Sequence, residues 1–377
     1  MSRPHDGHSM FPYFSGPLRM VGPKRSSNQS SKLDQTLNAF ETALTQRLNH
    51  LKTKDPEGFL TLSWMQQAME ALSATHKDLK TVIEDLKFPA TEWEQKWMDQ
   101  YLDDTLKVMD ICIALNAEIS KLQESQLLVQ YVLHILAFSG GSVPCADKLD
   151  RAKGSLRDLM EKSDMKRKKE NGAISMRNCK IENCTRILQG LRNGLQFGKV
   201  KSSTKGKVFL RAMYGVKATT IFVCSVVASA LSGSLAPLIE VQVPDQFLWS
   251  DVFMSLQKEI HEEIKASFAK EGAAILKDLE ILGAPIESMY SVVEKLPAGT
   301  FLKTGDSNYE KIRIATEKLR HGVQLLAQGL DPLTKQVNDF FQIVLNGRNE
   351  LLDSLRLTGN EDEHKGDDFL RHVQKLR

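Results

Sequence analysis

The stretch from Ala218 to Ile239, ATTIFVCSVVASALSGSLAPLI, runs for twenty-two residues without a charge, between Lys217 and Glu240. As a helix it would extend about 33 Å at 1.5 Å per residue, which matches a bilayer core. Nothing else in the 377 residues comes near this length without a charge. Such a segment has two physical homes, a membrane or the middle of a protein, and each makes different use of its flanks.

In the first reading the stretch spans or enters a membrane. The upstream flank is basic, with Lys199, Lys201, Lys205, Lys207, Arg211 and Lys217, and the downstream flank is acidic, with Glu240, Asp245 and Asp251. The positive-inside rule then places the preceding chain in the cytoplasm. Near an anionic leaflet each of the six cations contributes about 1 kcal/mol, so these six are the candidate anionic-lipid contacts. In the second reading the stretch is the central helix of a soluble cytoplasmic bundle, apolar all round because neighbours surround it. Thr219, Thr220, Ser225, Ser229, Ser232 and Ser234 dilute it, and Ser232-Gly233-Ser234 with Pro237 weakens its last turns. The firm helix is then Ala218 to Leu231, fourteen residues, too short to span. The basic flank becomes the water-facing start of that helix.

Composition removes several function classes. Fifty basic and 47 acidic residues leave a net charge of +3, too balanced for a general nucleic-acid binder. The five cysteines, Cys112, Cys145, Cys179, Cys184 and Cys224, form no CxxC, so a reducing compartment is expected, with neither a disulfide framework nor a zinc site. There is no GxxxxGKS/T, GxGxxG or GxSxG, and His261-Glu262-Glu263 lacks the second histidine of a zinc-protease helix. Glu259, Glu262 and Glu263 with Lys258 and Lys265 read as a solvated helix face. No catalytic residue, cofactor site or metal site is expected.

Read in order, the chain opens with a tail, residues 1–31, interrupted by Pro4, Pro12, Pro17 and Pro23. Its Arg3, Arg19, Lys24 and Arg25 against Asp6 leave an organelle transit peptide, with a plastid location, as the alternative, and Met10, Phe11, Tyr13 and Phe14 could dock on a partner or membrane surface. Residues 32–198 form an N-terminal helical region. Apolar residues recur at three- and four-residue steps from Leu33 to Leu51, then from Leu60 to Leu86 with His76 as an interior histidine. A long helix follows Pro89, opened by a Thr91–Glu94 capping box, with Trp93, Trp97 and Tyr101 facing the core. Residues 162–180 read as a basic loop, whose KRKK could also serve as an address signal or lipid patch. Residues 199–217 are the basic flank and 218–239 the apolar segment. Residues 240–357 form a C-terminal helical region in which Pro285 and Pro332 each open a helix. Residues 358–377 read as a fraying polar tail. The expected fold is all-α, an elongated bundle of about nine or ten helices with one long apolar helix near the middle.

Several stretches resemble the plant BYPASS family: NCTRIL at Asn183 to Leu188, KVKSSTKGKV at Lys199 to Val208 and RAMYGVK at Arg211 to Lys217. So do the opening MSRP, Phe11-Pro12, SWMQQAME at Ser63 to Glu70, WEQKW at Trp93 to Trp97 and FFQIVLNGR at Phe340 to Arg348. The resemblance covers nearly the whole chain, and the block Lys205 to Lys217 is its most specific part; Asp164 to Arg177 is longer than the family pattern. It implies a helical protein without known enzymatic activity. The implied role is in root and shoot development, preventing production of a mobile, root-derived, carotenoid-related signal that arrests shoot growth. Related plant proteins are often described as single-pass membrane proteins. Partners would be unidentified proteins met through helical faces, and an anionic membrane surface. Two other functions stay open: a membrane-trafficking or scaffold adaptor, and an unrecognised enzyme of metabolite signalling.

Overall fold

The three- and four-residue apolar rhythm becomes helix almost everywhere. The computed structural model describes residues 26–52, 58–86, 92–137, 145–168, 179–196, 204–270, 274–297 and 305–374. Among these are nine α-helices and no strand: α1 (Ser26–Leu51), α2 (Leu62–Leu86), α3 (Glu92–Ile135), α4 (Ala146–Lys168), α5 (Cys179–Asn193), α6 (Thr204–Ser232), α7 (Ser250–Ala269), α8 (Glu280–Lys295) and α9 (Ser307–Gln374). The Thr91–Glu94 capping box and residues 1–25 lie outside the described residues.

The apolar segment supplies α6, with its bounds shifted toward the N-terminus. The helix starts at Thr204, inside the basic flank, and stops at Ser232. Gly233, at φ +67°, closes it in the left-handed conformation that a side chain would resist. Ser234 N–H reaches back to the Ser229 carbonyl at 3.2 Å, completing the terminal wrap. All fifteen residues from Ala218 to Ser232 are buried, because α1, α2, α3, α5 and α7 pack around them. By length and composition α6 could cross a bilayer, yet its apolar window is 94% buried inside the protein. Four of the five buried hydroxyls from Ala218 to Ser232 do not oppose this, while Ser229 Oγ is buried without a hydrogen-bond partner. Thr219, Thr220, Ser225 and Ser232 donate to the carbonyls of Gly215, Val216, Phe222 and Ala228 at 2.6–2.9 Å, so they are satisfied within their own helix.

After Gly233 the chain turns back along the bundle. Ile239, Val241 and Val243 point inward while Glu240 and Gln242 face out. Their backbone has no sheet neighbour; the Gln257 amide replaces one, accepting from Val241 N at 2.9 Å and donating to Val241 O at 3.0 Å.

Pro332 does not begin a helix. It lies inside α9, which runs unbroken for 68 residues, and helices α2, α3 and α8 pack along its length. Proline removes one backbone bond, but flanking tertiary contacts hold both halves in line. Pro285 likewise lies within α8, five residues after its start. Three further expectations are corrected. Residues 26–31 belong to α1, since no proline follows Pro23 there, and 162–168 continue α4. The expected polar tail is helical through Gln374, an extension of an already nucleated helix.

Two glycines let helices approach α9 closely. A Cβ on Gly329 would meet the Leu62 side chain at 2.6 Å, and one on Gly322 would meet Leu282 at 2.7 Å. Gln66 Nε2 donates to the Gly329 carbonyl at 3.0 Å across the same contact. Gly154 in α4 has open space around it. Gly329→Val is therefore expected to destabilise by about 1–3 kcal/mol through overpacking. Gly154→Ala should stabilise by roughly 0.5–1 kcal/mol through helix propensity. Urea unfolding of the two variants, followed by circular dichroism, checks the opposite signs.

Candidate functional site

Because α6 begins at Thr204, the described cations of the flank sit on a helix that turns about 100° per residue, and they part company. Lys205 is half-buried and Lys207 exposed at the first turn. Lys199 and Lys201 lie outside the described residues.

Arg211 turns inward. Its Nε and terminal nitrogen hold Glu41 Oε1 of α1 at 2.8 and 2.7 Å, and the same terminal nitrogen donates to the Gln246 carbonyl at 2.9 Å. The guanidinium lies over the Phe247 ring, 4.7 Å from its centroid. Glu41 Oε2 accepts the Leu248 N–H at 3.0 Å. Tyr214, one turn along α6, stacks on Phe247 at 4.8 Å and donates its hydroxyl to the Gln242 carbonyl. A single carboxylate thus ties α1, α6 and the returning segment together.

Lys217 is also spent inside. Its ammonium donates to Asp104 Oδ2 of α3 at 2.7 Å and to the Gly194 carbonyl, just past the end of α5, at 3.3 Å. The two side chains are only 9% and 11% exposed. A carbonyl at a helix C-terminus is a natural seat for a cation. Beside this pair lies a cavity of about 30 Å³ lined by His76, Tyr101, Thr105, Thr220 and apolar side chains, room for a water or two. Thr220 gives its hydroxyl proton to the Val216 carbonyl at 2.7 Å, so His76 Nε2, 3.0 Å away, is the donor to Thr220. Burial holds the His76 pKa down at about 3, so the ring is neutral, packed edge-on against Phe340. The same burial pushes the Tyr101 hydroxyl up to about 12.

Among the described residues, the buried cysteines and His261 are held in unreactive forms. Burial raises the thiols of Cys112 and Cys184 to about 12 and that of Cys224 well above its usual value, which keeps them protonated. His261 is buried, with its pKa lowered to about 4, chiefly by desolvation. Among the described residues no group of His, Cys, Asp or Glu is placed to hold a metal ion. Of the expected aromatic stripe, Tyr101 is buried and Trp97 packs against the core; the Trp93 side chain lies outside the described residues.

The sequence singled out Arg211 and Lys217 but not their partners, Glu41 and Asp104, which lie 170 and 113 residues away. One signal was available. Asp104 falls beside the inward stripe of α3, and Glu41 directly follows the inward Phe40. The stretches that carried the family resemblance hold similar pins. Trp64 Nε1 donates to the Leu51 carbonyl at 3.0 Å. Arg348 of α9 donates to Thr105 Oγ1 at 3.2 Å and to the Leu102 carbonyl on α3.

Fold and site together define an all-helical protein whose most connected polar residues tie helices around one buried helix. Residues 18–207 and 183–355 match the ROH1-like family, and the chain belongs to it. It is BYPASS-like: it is 36% identical to Protein BPS1, chloroplastic, of Arabidopsis thaliana, over 95% of this chain and 94% of that one. It is 40% identical to UPF0496 protein 4 of Oryza sativa subsp. indica over 74% of this chain, which spans 59% of that relative's length. It is 19% identical to Protein ROH1D of Arabidopsis thaliana, over 86% of this chain and 89% of that one. None of these relatives is named for a catalysed reaction. No solved structure matches the chain.

Two outcomes follow. Lys217→Met leaves Asp104 poorly compensated in a low-dielectric site and should cost about 3 kcal/mol, while adding Asp104→Leu recovers much of the loss. A double-mutant cycle by chemical denaturation measures this. For His76, the unfolded chain takes up a proton near pH 6.5 that the folded chain refuses until about pH 3. The stability it guards is full above pH 6.5 and falls as pH drops, by up to about 1.4 kcal/mol per unit. Thermal melts between pH 7.5 and 5 should show a flatter profile for His76→Gln, which keeps an N–H donor without titrating.

Proposed function

We propose that the chain is a non-enzymatic regulator of plant root and shoot development, which restrains a mobile, root-derived signal that arrests shoot growth. It acts through helical faces that meet protein partners. The observation that carries this reading is the 36% identity to BPS1 along nearly the full length of both chains, together with the role that the BYPASS resemblance implies. The burial of Cys112, Cys184, Cys224 and His76 in unreactive forms supports a role without catalysis. Loss of the gene and of any close copies in its own plant should arrest the shoot through a root-derived signal, as grafting onto normal roots would reveal. Normal shoots in the full knockout, with a trafficking defect instead, would overturn it.

A second reading, a membrane-trafficking or scaffold adaptor, is favoured by one observation: Lys207 is exposed at the start of α6. Anionic lipid would then be met by Lys205 and Lys207, joined by Lys199 and Lys201, while Arg211 and Lys217 hold their internal carboxylates. Contact would be peripheral. A single-pass arrangement with the N-terminal part in the cytoplasm would require α6 to leave its five helical neighbours. Carbonate extraction of plant membranes should therefore release the protein into the supernatant. Retention in the pellet would establish spanning. Changing Lys201, Lys205 and Lys207 to Gln should abolish flotation with anionic liposomes under the adaptor reading while development fails with it; under the leading reading development survives that loss. The name of BPS1 carries a chloroplast address for that protein; a plastid location here would assign the basic residues 1–25, ahead of α1, as transit peptide, which a C-terminal fluorescent fusion reads directly.

A further inference from the structure

One face of α3 leaves four large apolar side chains exposed beside the described helices. Leu106, Ile113, Leu127 and Tyr131 are 46–63% exposed there. At 100° per residue they fall within about 60° of one another, along about 37 Å of helix. Leu106, Ile113 and Leu127 sit at multiples of seven, with Ser120, also exposed, at the missing step. A seven-residue apolar repeat is the geometry with which one helix seats another. The surrounding charge is acidic. Asp110 and Glu124 are exposed on the same face. Lys107 and Lys121 at its edge are engaged, the first with Asp103 at 2.5 Å and Asp104 at 3.3 Å, the second with Glu118 at 2.5 Å.

We propose that this stripe of α3 seats an amphipathic helix of a protein partner, one with aliphatic residues at heptad spacing and Lys or Arg along its flanks. Charge selects this occupant over the others. Asp110 and Glu124 repel an anionic leaflet. A parallel second copy would set each of these acids against itself. An antiparallel copy that pairs Leu106 with Tyr131 would set Asp110 opposite Leu127, one turn from the mate's Glu124. Like charges so placed disfavour self-association. The proposal deepens the reading above, which calls for helical protein contacts, and rests on it; direct binding tests the surface alone, whereas the knockout phenotype tests the developmental role alone.

The probes are two designed fluorescent peptides with the same Leu/Ile heptad seam, one flanked by Lys and Arg, the other by Glu. Purified full-length protein is titrated against each by anisotropy. The basic-flanked peptide should bind, and more weakly as salt rises, while the acidic-flanked one does not. Leu127→Lys should weaken binding by about tenfold or more. Asp110→Lys with Glu124→Lys should reverse the preference between the two peptides. These side chains are exposed, so thermal melts of the variants should match the parent. Equal binding of both peptides, binding of neither, or binding indifferent to Leu127→Lys would overturn the proposal. So would a dimer in sedimentation that Leu127→Lys dissolves, which would make the occupant a second copy, or flotation with anionic phospholipid vesicles that Leu127→Lys abolishes.

Discussion

Fifteen consecutive buried positions on α6 impose a requirement that few helices make: protein on every side. An ordinary amphipathic helix needs a partner on one stripe only. From Ala218 to Ser232 no face is left for water, so α1, α2, α3, α5 and α7 must arrive from all directions. Large rings fill the gaps, Phe222 against Phe253 at 5.3 Å and Trp249 against Phe253 at 5.5 Å. Each such buried side chain contributes roughly 1.5–3 kcal/mol. The sequence-distant helices α1 and α7 thereby become neighbours, and the rest of the topology follows from enclosing one cylinder.

Where α6 ceases to be apolar, charge takes over the fastening. Arg211 and Lys217 sit on the N-terminal half of the helix, where the enclosure is incomplete, and each is matched by one carboxylate from a different neighbour. Pairs so enclosed give less net stability than their geometry suggests, since desolvation offsets attraction. They do exclude alternatives: a shifted register of α6 would take Arg211 from the buried Glu41 and leave Asp104 with only the more distant Lys107. This is why Arg211 and Lys217, within the Lys205 to Lys217 block that is the most specific part of the family resemblance, belong to the architecture. The surface proposed above for a partner helix lies elsewhere, on the outward face of α3.

The helical fold was legible because its signal is local. Leu33, Phe40, Leu44, Leu48 and Leu51 announce a stripe, and each is buried. The fate of the apolar segment was harder to read, since an all-round apolar helix has the same composition in lipid and in a protein core. The internal pairing of Lys217 and Arg211 was not legible because their partners are 113 and 170 residues away, beyond any local pattern. Pro332 misled for a related reason: its local cost is real, but contacts along α9 with α2, α3 and α8 outweigh it. The exposed stripe on α3 escaped notice because the buried stripe of the same helix, Tyr101, Met109, Cys112, Ile119 and Leu122, dominates its pattern.

The whole architecture requires α6 to be a core helix enclosed by its own chain in the absence of lipid. Hydrogen–deuterium exchange on the full-length protein in detergent-free buffer tests it most directly. Peptides covering Ala218 to Ser232 should exchange only through global unfolding, the slowest in the molecule, and adding anionic liposomes should leave them unchanged. Rapid exchange of those peptides in buffer, with protection acquired only when liposomes are added, would contradict it.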